Sequence, residues 1–94
     1  MKRPTVYIMA SQRNGTIYTG VTSDLIQRAH QHRTATTGFT AQHNCKMLVW
    51  FEQYETMESA INREKQIKAG SRKSKLKLIE ASNPNWRDLY AEIL

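Results

Sequence analysis

The chain has 94 residues, 39% of them hydrophobic, which suffices for one compact domain with one core, spanning residues 1–94, and leaves no room for a second lobe. No apolar run approaches the roughly 20 residues that cross a bilayer, and Met1-Lys2-Arg3-Pro4 leads into strand-like sequence instead of a signal-peptide apolar region. A cytoplasmic protein without membrane attachment is expected, and the lone Cys45 excludes an internal disulfide or a clustered thiolate metal site.

In chain order, residues 5–10 and 16–21 are β-branched and aromatic, with the turn signal Asn14-Gly15 between them, and predict a β-hairpin. Thr22-Ser23-Asp24 offers N-caps for a helix to about Thr34 with Leu25, Arg28, Ala29 and His32 along one stripe. The next dozen residues, holding Thr36, Thr37, Gly38 and Asn44, read as a loop. The apolar run Met47 to Phe51 then has strand length. Thr56 caps a second helix whose inward stripe is Met57, Ala60, Ile61, Glu64 and Ile67, with Gly70 able to take the left-handed conformation at its end. A short basic helix carrying Leu76 and Ile79 is stopped by Asn83-Pro84. Asn85 caps a last helix with Trp86, Leu89, Tyr90 and Ile93 at i, i+3, i+4 and i+7. The order β-β-α-β-α-α-α, with its tight first connection, predicts an α+β domain: a small three-stranded, mainly antiparallel sheet flanked by helices.

The net charge of +6 is localised: residues 63–77 hold seven basic side chains (Arg63, Lys65, Lys68, Arg72, Lys73, Lys75, Lys77) against one acid, Glu64, while the remainder holds seven of each sign. Such a cluster suits a polyanion, because each phosphate neutralised releases condensed counterions; a solvated helix face is the other account of it.

Side chains alternate across strands, so hairpin pairing puts Tyr7 and Tyr18 on one face of the sheet, as a pair of convergent phenols or as an aromatic ladder over the core. Arg28 and His32, four residues apart, share a helix face with Leu25. A guanidinium and an imidazole directed at a sheet need polar or anionic partners; a phosphate would serve, as would a snorkelling arrangement at the core margin. Glu64 interrupts an apolar stripe between Ile61 and Ile67. A carboxylate there requires a cation, either a metal such as Mg²⁺ or a basic partner such as Arg28.

Together these residues resemble the GIY-YIG nuclease family. Val6-Tyr7-Ile8 stands for the first motif and Tyr18-Thr19-Gly20 for the second, followed by Asp24-Leu25, Arg28 and His32, then Arg63-Glu64-Lys65 on a later helix. The tail, Leu78-Ile79-Glu80 and Asn83-Pro84-Asn85-Trp86-Arg87-Asp88-Leu89, is similar to that of the short, single-domain bacterial members.

The resemblance implies a divalent-metal-dependent endonuclease hydrolysing nucleic-acid phosphodiester bonds, with DNA expected ahead of RNA and Mg²⁺ (or Mn²⁺) held by Glu64. It implies that Arg28 neutralises charge on the phosphoryl oxygens, that Tyr7 is the general base with Tyr18 positioning water or phosphate, the two being exchangeable, and that His32 helps position the reacting groups. Asn83 is a candidate supporting residue, although an Asn-Pro turn also accounts for it, and His43 is a second with no assigned role. The basic segment would grip backbone phosphates, and a protein partner is a candidate source of substrate specificity. The rival readings are a noncatalytic nucleic-acid-binding module on the same fold, or a protein-interaction domain whose basic face meets an acidic partner.

Overall fold

A computed structural model describes residues 2–94. β1 (Thr5–Ala10) and β2 (Ile17–Thr22) form the predicted antiparallel hairpin, and β3 (Met47–Gln53) pairs antiparallel with the other side of β1, so the sheet order is β2-β1-β3. The hairpin closes through residues 11–16 instead of a two-residue Asn-Gly turn. The Ser11 N–H donates to the Thr16 carbonyl at 2.9 Å, the Thr16 N–H donates to the Ser11 hydroxyl at 3.0 Å, and Asn14 sits at φ 58°, which asparagine tolerates. Because the loop is even-membered, parity is preserved: Tyr7 pairs with Gly20 and Met9 with Tyr18, so both tyrosines project from one face.

The central strand is buried at all six positions, which splits the expected single core into two. One face joins Val6, Ile8, Ala10, Val49 and Trp50 to α3 (Met57–Ala69) and α4 (Arg72–Ser82) through Ala60, Ile67 and Ile79. The other joins Tyr7, Met9 and Leu48 to α1 (Leu25–Thr34) through Leu25 and Ala29, and to Cys45 and Ile93. A strand apolar on both faces is what a sheet sandwiched between helices requires.

Side chains cap three helices, Asp24 and Thr56 as the sequence offered and Ser71 in addition, each accepting from a backbone N–H three residues on. Gly70 does not adopt the left-handed conformation; its φ is −76°, and α3 ends because Ser71 immediately caps α4. Two further expectations are corrected. The stretch read as a loop contains a short helix, α2 (Phe39–Gln42), entered through Gly38 at φ 90°. The last helix is not a continuous run from Asn85 but the four residues of α5 (Tyr90–Ile93). The reason is Asn83, which is buried and gives its side-chain amide to the carbonyls of Val49 (3.0 Å) and Arg87 (2.9 Å) while accepting from the Arg87 N–H (3.0 Å). Trp86, at φ 55°, is buried with α3 and α4, whereas Ile93 is buried with α1, so the tail crosses from one face of the sheet to the other. The apparent helical period of these apolar residues reflects two faces reached in turn.

No helix among the described residues is long and apolar enough to cross a membrane.

Candidate functional site

Tyr7 and Tyr18 project from β1 and β2 with ring centroids 6.4 Å apart, and the His32 ring completes a triangle at 5.6 Å from Tyr7 and 5.3 Å from Tyr18. Tyr7 is wholly buried and Tyr18 partly exposed. Gly20, directly opposite Tyr7, makes the arrangement sterically feasible: a Cβ there would lie 2.4 Å from the Tyr7 hydroxyl and 2.6 Å from the adjacent ring carbon. The glycine that closes the second motif is therefore the space into which the tyrosine of the first motif is laid.

α1 brings Arg28 and His32 to the same place. Leu25 and Ala29 take the buried stripe, His32 is half-buried, and Arg28, though exposed overall, lines the groove with Tyr18 and His32 and acts on Tyr7, the snorkelling arrangement at the core margin. The Tyr7 hydroxyl and His32 Nε2 are 2.8 Å apart, and His32 Nδ1 is 3.0 Å from the Thr40 hydroxyl. Burial, reinforced by Tyr18 and opposed by Arg28, pushes Tyr7 well above the ordinary phenol value, and the nearby Glu64 carboxylate pushes the same way. The phenol thus stays protonated, able to donate to Nε2. Burial and the Arg28 charge lower the His32 pKa, which favours the neutral ring; the tautomer with its proton on Nδ1, toward Thr40, is the one that leaves Nε2 to accept from Tyr7.

These groups border a groove of about 280 Å³ lined by Tyr18, Arg28, Gln31, His32, Phe39 and Thr40, among others. Its walls hold one full positive charge, from Arg28, beside neutral hydrogen-bonding and aromatic groups, a composition fit for an anion attached to an apolar or aromatic body.

Glu64 reaches this neighbourhood from α3, on the opposite side of the hairpin. Its side chain is 15% exposed and its ion-pair partner is Lys68 at 3.2 Å, one helical turn on, in place of the considered Arg28. It does not line the groove, but it lies close enough to Tyr7 to oppose ionisation of the phenol. Tyr7 is thus the residue that both the groove side, through His32, and Glu64 act on.

The basic segment divides by use. Arg63 pairs with Glu52 and donates to Gln66, Lys68 pairs with Glu64, and Arg72 donates to the carbonyls of Asn14 (2.8 Å) and Gly15 (2.7 Å), tying α4 to the hairpin tip. Among the described residues, Lys65, Lys73, Lys75 and Lys77 form no ion pair, so their charge is available to solvent and ligands. Arg63 and Lys75 flank a hollow of about 270 Å³ between α3 and α4 that shares no residue with the groove. Asn83 belongs to the packing of the tail, and His43 packs against Phe39 with ring centroids 4.4 Å apart and the planes tilted by 43°.

Two neighbours of the site are not apparent from the sequence pattern. Thr40 and Phe39 both lie on α2, where one hydroxyl fixes His32 and one exposed ring borders the groove. The available signal was Gly38-Phe39, an aromatic standing alone in a polar stretch behind a glycine.

Comparison with known proteins bears on the family and the fold. The family model described as the GIY-YIG catalytic domain matches residues 3–77. A UPF0213 protein of Staphylococcus aureus is 37% identical over 76 residues, which is 80% of this chain and 92% of that protein. A UPF0213 protein of Staphylococcus saprophyticus is 34% identical over 80 residues, 84% of this chain and 96% of that one. The solution structure of a UPF0213 protein from Bacillus halodurans superposes with a TM-score of 0.56 at 25% identity, covering 92% of each chain, and has the same three-stranded α+β architecture. With the family model matched over residues 3–77 and relatives of 34–37% identity covered nearly end to end, the chain belongs to the GIY-YIG catalytic domain family.

Proposed function

We propose that the chain is a divalent-metal-dependent endonuclease that hydrolyses phosphodiester bonds, with DNA as the substrate ahead of RNA. The observation that supports this best is the position of Tyr7, hydrogen-bonded to a neutral His32 on the groove side and approached by Glu64 from α3.

Arg28, exposed on the groove wall, binds the scissile phosphate and offsets charge that grows on its oxygens. Burial makes a resting Tyr7 phenolate unfavourable, so Tyr7 acts as a base only as its own proton passes to His32 Nε2. Tyr7 is enclosed in the resting chain, so the step requires water to be admitted beside it from the groove; the Tyr7 oxygen then takes a proton from that water while its hydroxyl proton moves to the imidazole, whose positive charge is balanced by the anionic phosphate. Tyr18, partly exposed in the groove, positions the water or a phosphoryl oxygen.

Glu64 fits a hard cation. Among the described residues no three acidic, histidine or cysteine side chains cluster as a ready-made cage, and Mg²⁺ in particular retains waters and accepts substrate oxygens around one or two carboxylates. Lys68, half-exposed, is the group a cation at Glu64 would displace. When bound there, Mg²⁺ or Mn²⁺ supplies charge that polarises the phosphate and stabilises the leaving oxygen.

The test incubates the purified chain with Mg²⁺ or Mn²⁺ and single-stranded, duplex or branched DNA. Cutting that Glu64→Gln abolishes, with salt-sensitive binding retained, is expected. Binding without metal-dependent cutting on every substrate would turn the reading to a noncatalytic nucleic-acid-binding module.

A further inference from the structure

We infer that Phe39 is a stacking platform for a nucleobase, carried next to the phosphate site bordered by Arg28. The inference rests on the proposed nucleic-acid substrate and specifies a subsite within it. Phe39 is 46% exposed, while the tyrosine and phenylalanine rings packed in the core of this face, Tyr7, Tyr18, Phe51 and Tyr90, are buried or partly so. A single exposed apolar side chain is ordinary on a protein surface. The setting of this one is more specific.

Its ring lies against Tyr18 with centroids 5.9 Å apart and against His43 at 4.4 Å, so Tyr18, Phe39 and His43 form a row of rings from the groove to solvent. The row begins beside His32 and borders the same groove as Arg28. The helix that carries Phe39 is anchored next door, where buried Thr40 meets His32, and is entered through Gly38 at φ 90°, a conformation an L-residue adopts only with strain. The ring is thus held in place without being covered. A nucleotide presents an anion and a flat π-face at a fixed separation, the two features that Arg28 and Phe39 offer side by side.

The test uses a single-stranded DNA oligonucleotide carrying the fluorescent base 2-aminopurine at successive positions, bound by the full chain in EDTA so that cutting does not intervene. Emission should change at one or two positions on binding. Phe39→Ala should remove that change and weaken binding on the order of tenfold with an unaltered salt slope, since the same phosphates remain neutralised. Phe39→Trp should restore both. An abasic site at the responsive position should weaken binding to the wild type but add nothing in Phe39→Ala, because the two changes delete one interaction. Additive losses, equal binding by Phe39→Ala and the wild type, or restoration by Phe39→Leu as complete as by Phe39→Trp would each overturn the inference. Absence of any binding by the wild type would instead remove the nucleic-acid reading on which it stands.

Discussion

The Tyr7 hydroxyl lies 2.8 Å from His32 Nε2, and the far nitrogen of the same ring lies 3.0 Å from the Thr40 hydroxyl, so three elements of the fold meet in one hydrogen-bonded line. In the proposed mechanism the line works as a proton path only while His32 is neutral. Burial and Arg28 lower its pKa from the ordinary 6.5, so the acid limb of a kcat/KM profile should fall below that value. The linkage has the corresponding sign. Stability from keeping His32 neutral is present above pH 6.5 and is lost as pH falls through the lower folded-state pKa. Thr40→Val removes the partner of Nδ1, and activity should drop about tenfold or more, since an unmet buried hydrogen bond costs about 1–3 kcal/mol. Thr40→Ser should recover most of it. An acid limb at or above 6.5 in the wild type, or full activity in Thr40→Val, would break the proposed path.

Gly20→Ala tests the packing behind that line. The new methyl would overlap the Tyr7 phenol at 2.4 to 2.6 Å, and the ring, buried on all sides, can retreat only by displacing core neighbours. Overpacking of this kind costs about 1–3 kcal/mol, and because the displaced atom is the hydroxyl facing His32, activity should fall more steeply than stability does. Denaturant titration and turnover measured on the folded fraction separate the two effects. Tyr7→Phe in the Gly20→Ala background should relieve part of the instability without restoring turnover.

Much of this was legible from alternation and spacing. Any even-membered loop puts Tyr7 and Tyr18 on one face, and an interval of four residues put Arg28 and His32 on one side of α1. Spacing alone, however, does not say which member of a stripe faces inward. Ala29 and Leu25 occupy the sheet-facing side and Arg28 swings to the margin, a choice set by the cost of burying a guanidinium. Thr40 was invisible because a four-residue helix has too little sequence to show a period, and its importance comes from a contact with His32 eight residues away. The tail misled for a different reason: Trp86 and Ile93 keep helical spacing while belonging to opposite cores.

The basic segment makes a prediction that charge counting would not. Lys73 and Lys77 are exposed and unpaired, whereas Arg72 is bound to the hairpin-tip carbonyls. Replacing Lys73 and Lys77 with glutamine should lower the salt slope of DNA binding by about one for each phosphate that is no longer neutralised, with little change in melting temperature. Arg72→Gln should act mainly on stability, by about 1 kcal/mol, through the hairpin tip. An equal loss of binding from all three positions, with no stability change at Arg72, would mean that Arg72 also serves as a phosphate ligand.

Asn83 separates support of the fold from support of the chemistry. Its amide bonds Val49 and Arg87, and its oxygen accepts from the Arg87 N–H, so one buried side chain closes the bend that sends Trp86 under one face and Ile93 over the other. Asn83→Ala strands the Val49 carbonyl and the Arg87 backbone groups, which should cost about 2–3 kcal/mol in denaturant unfolding. Asn83→Asp keeps the acceptor but replaces the amide donor with an oxygen facing two carbonyls, so it should be no less damaging. Neither substitution touches Tyr7, His32 or Arg28, and the activity of the remaining folded protein should be close to that of the parent chain. A large loss of turnover with stability preserved would assign Asn83 to the site after all.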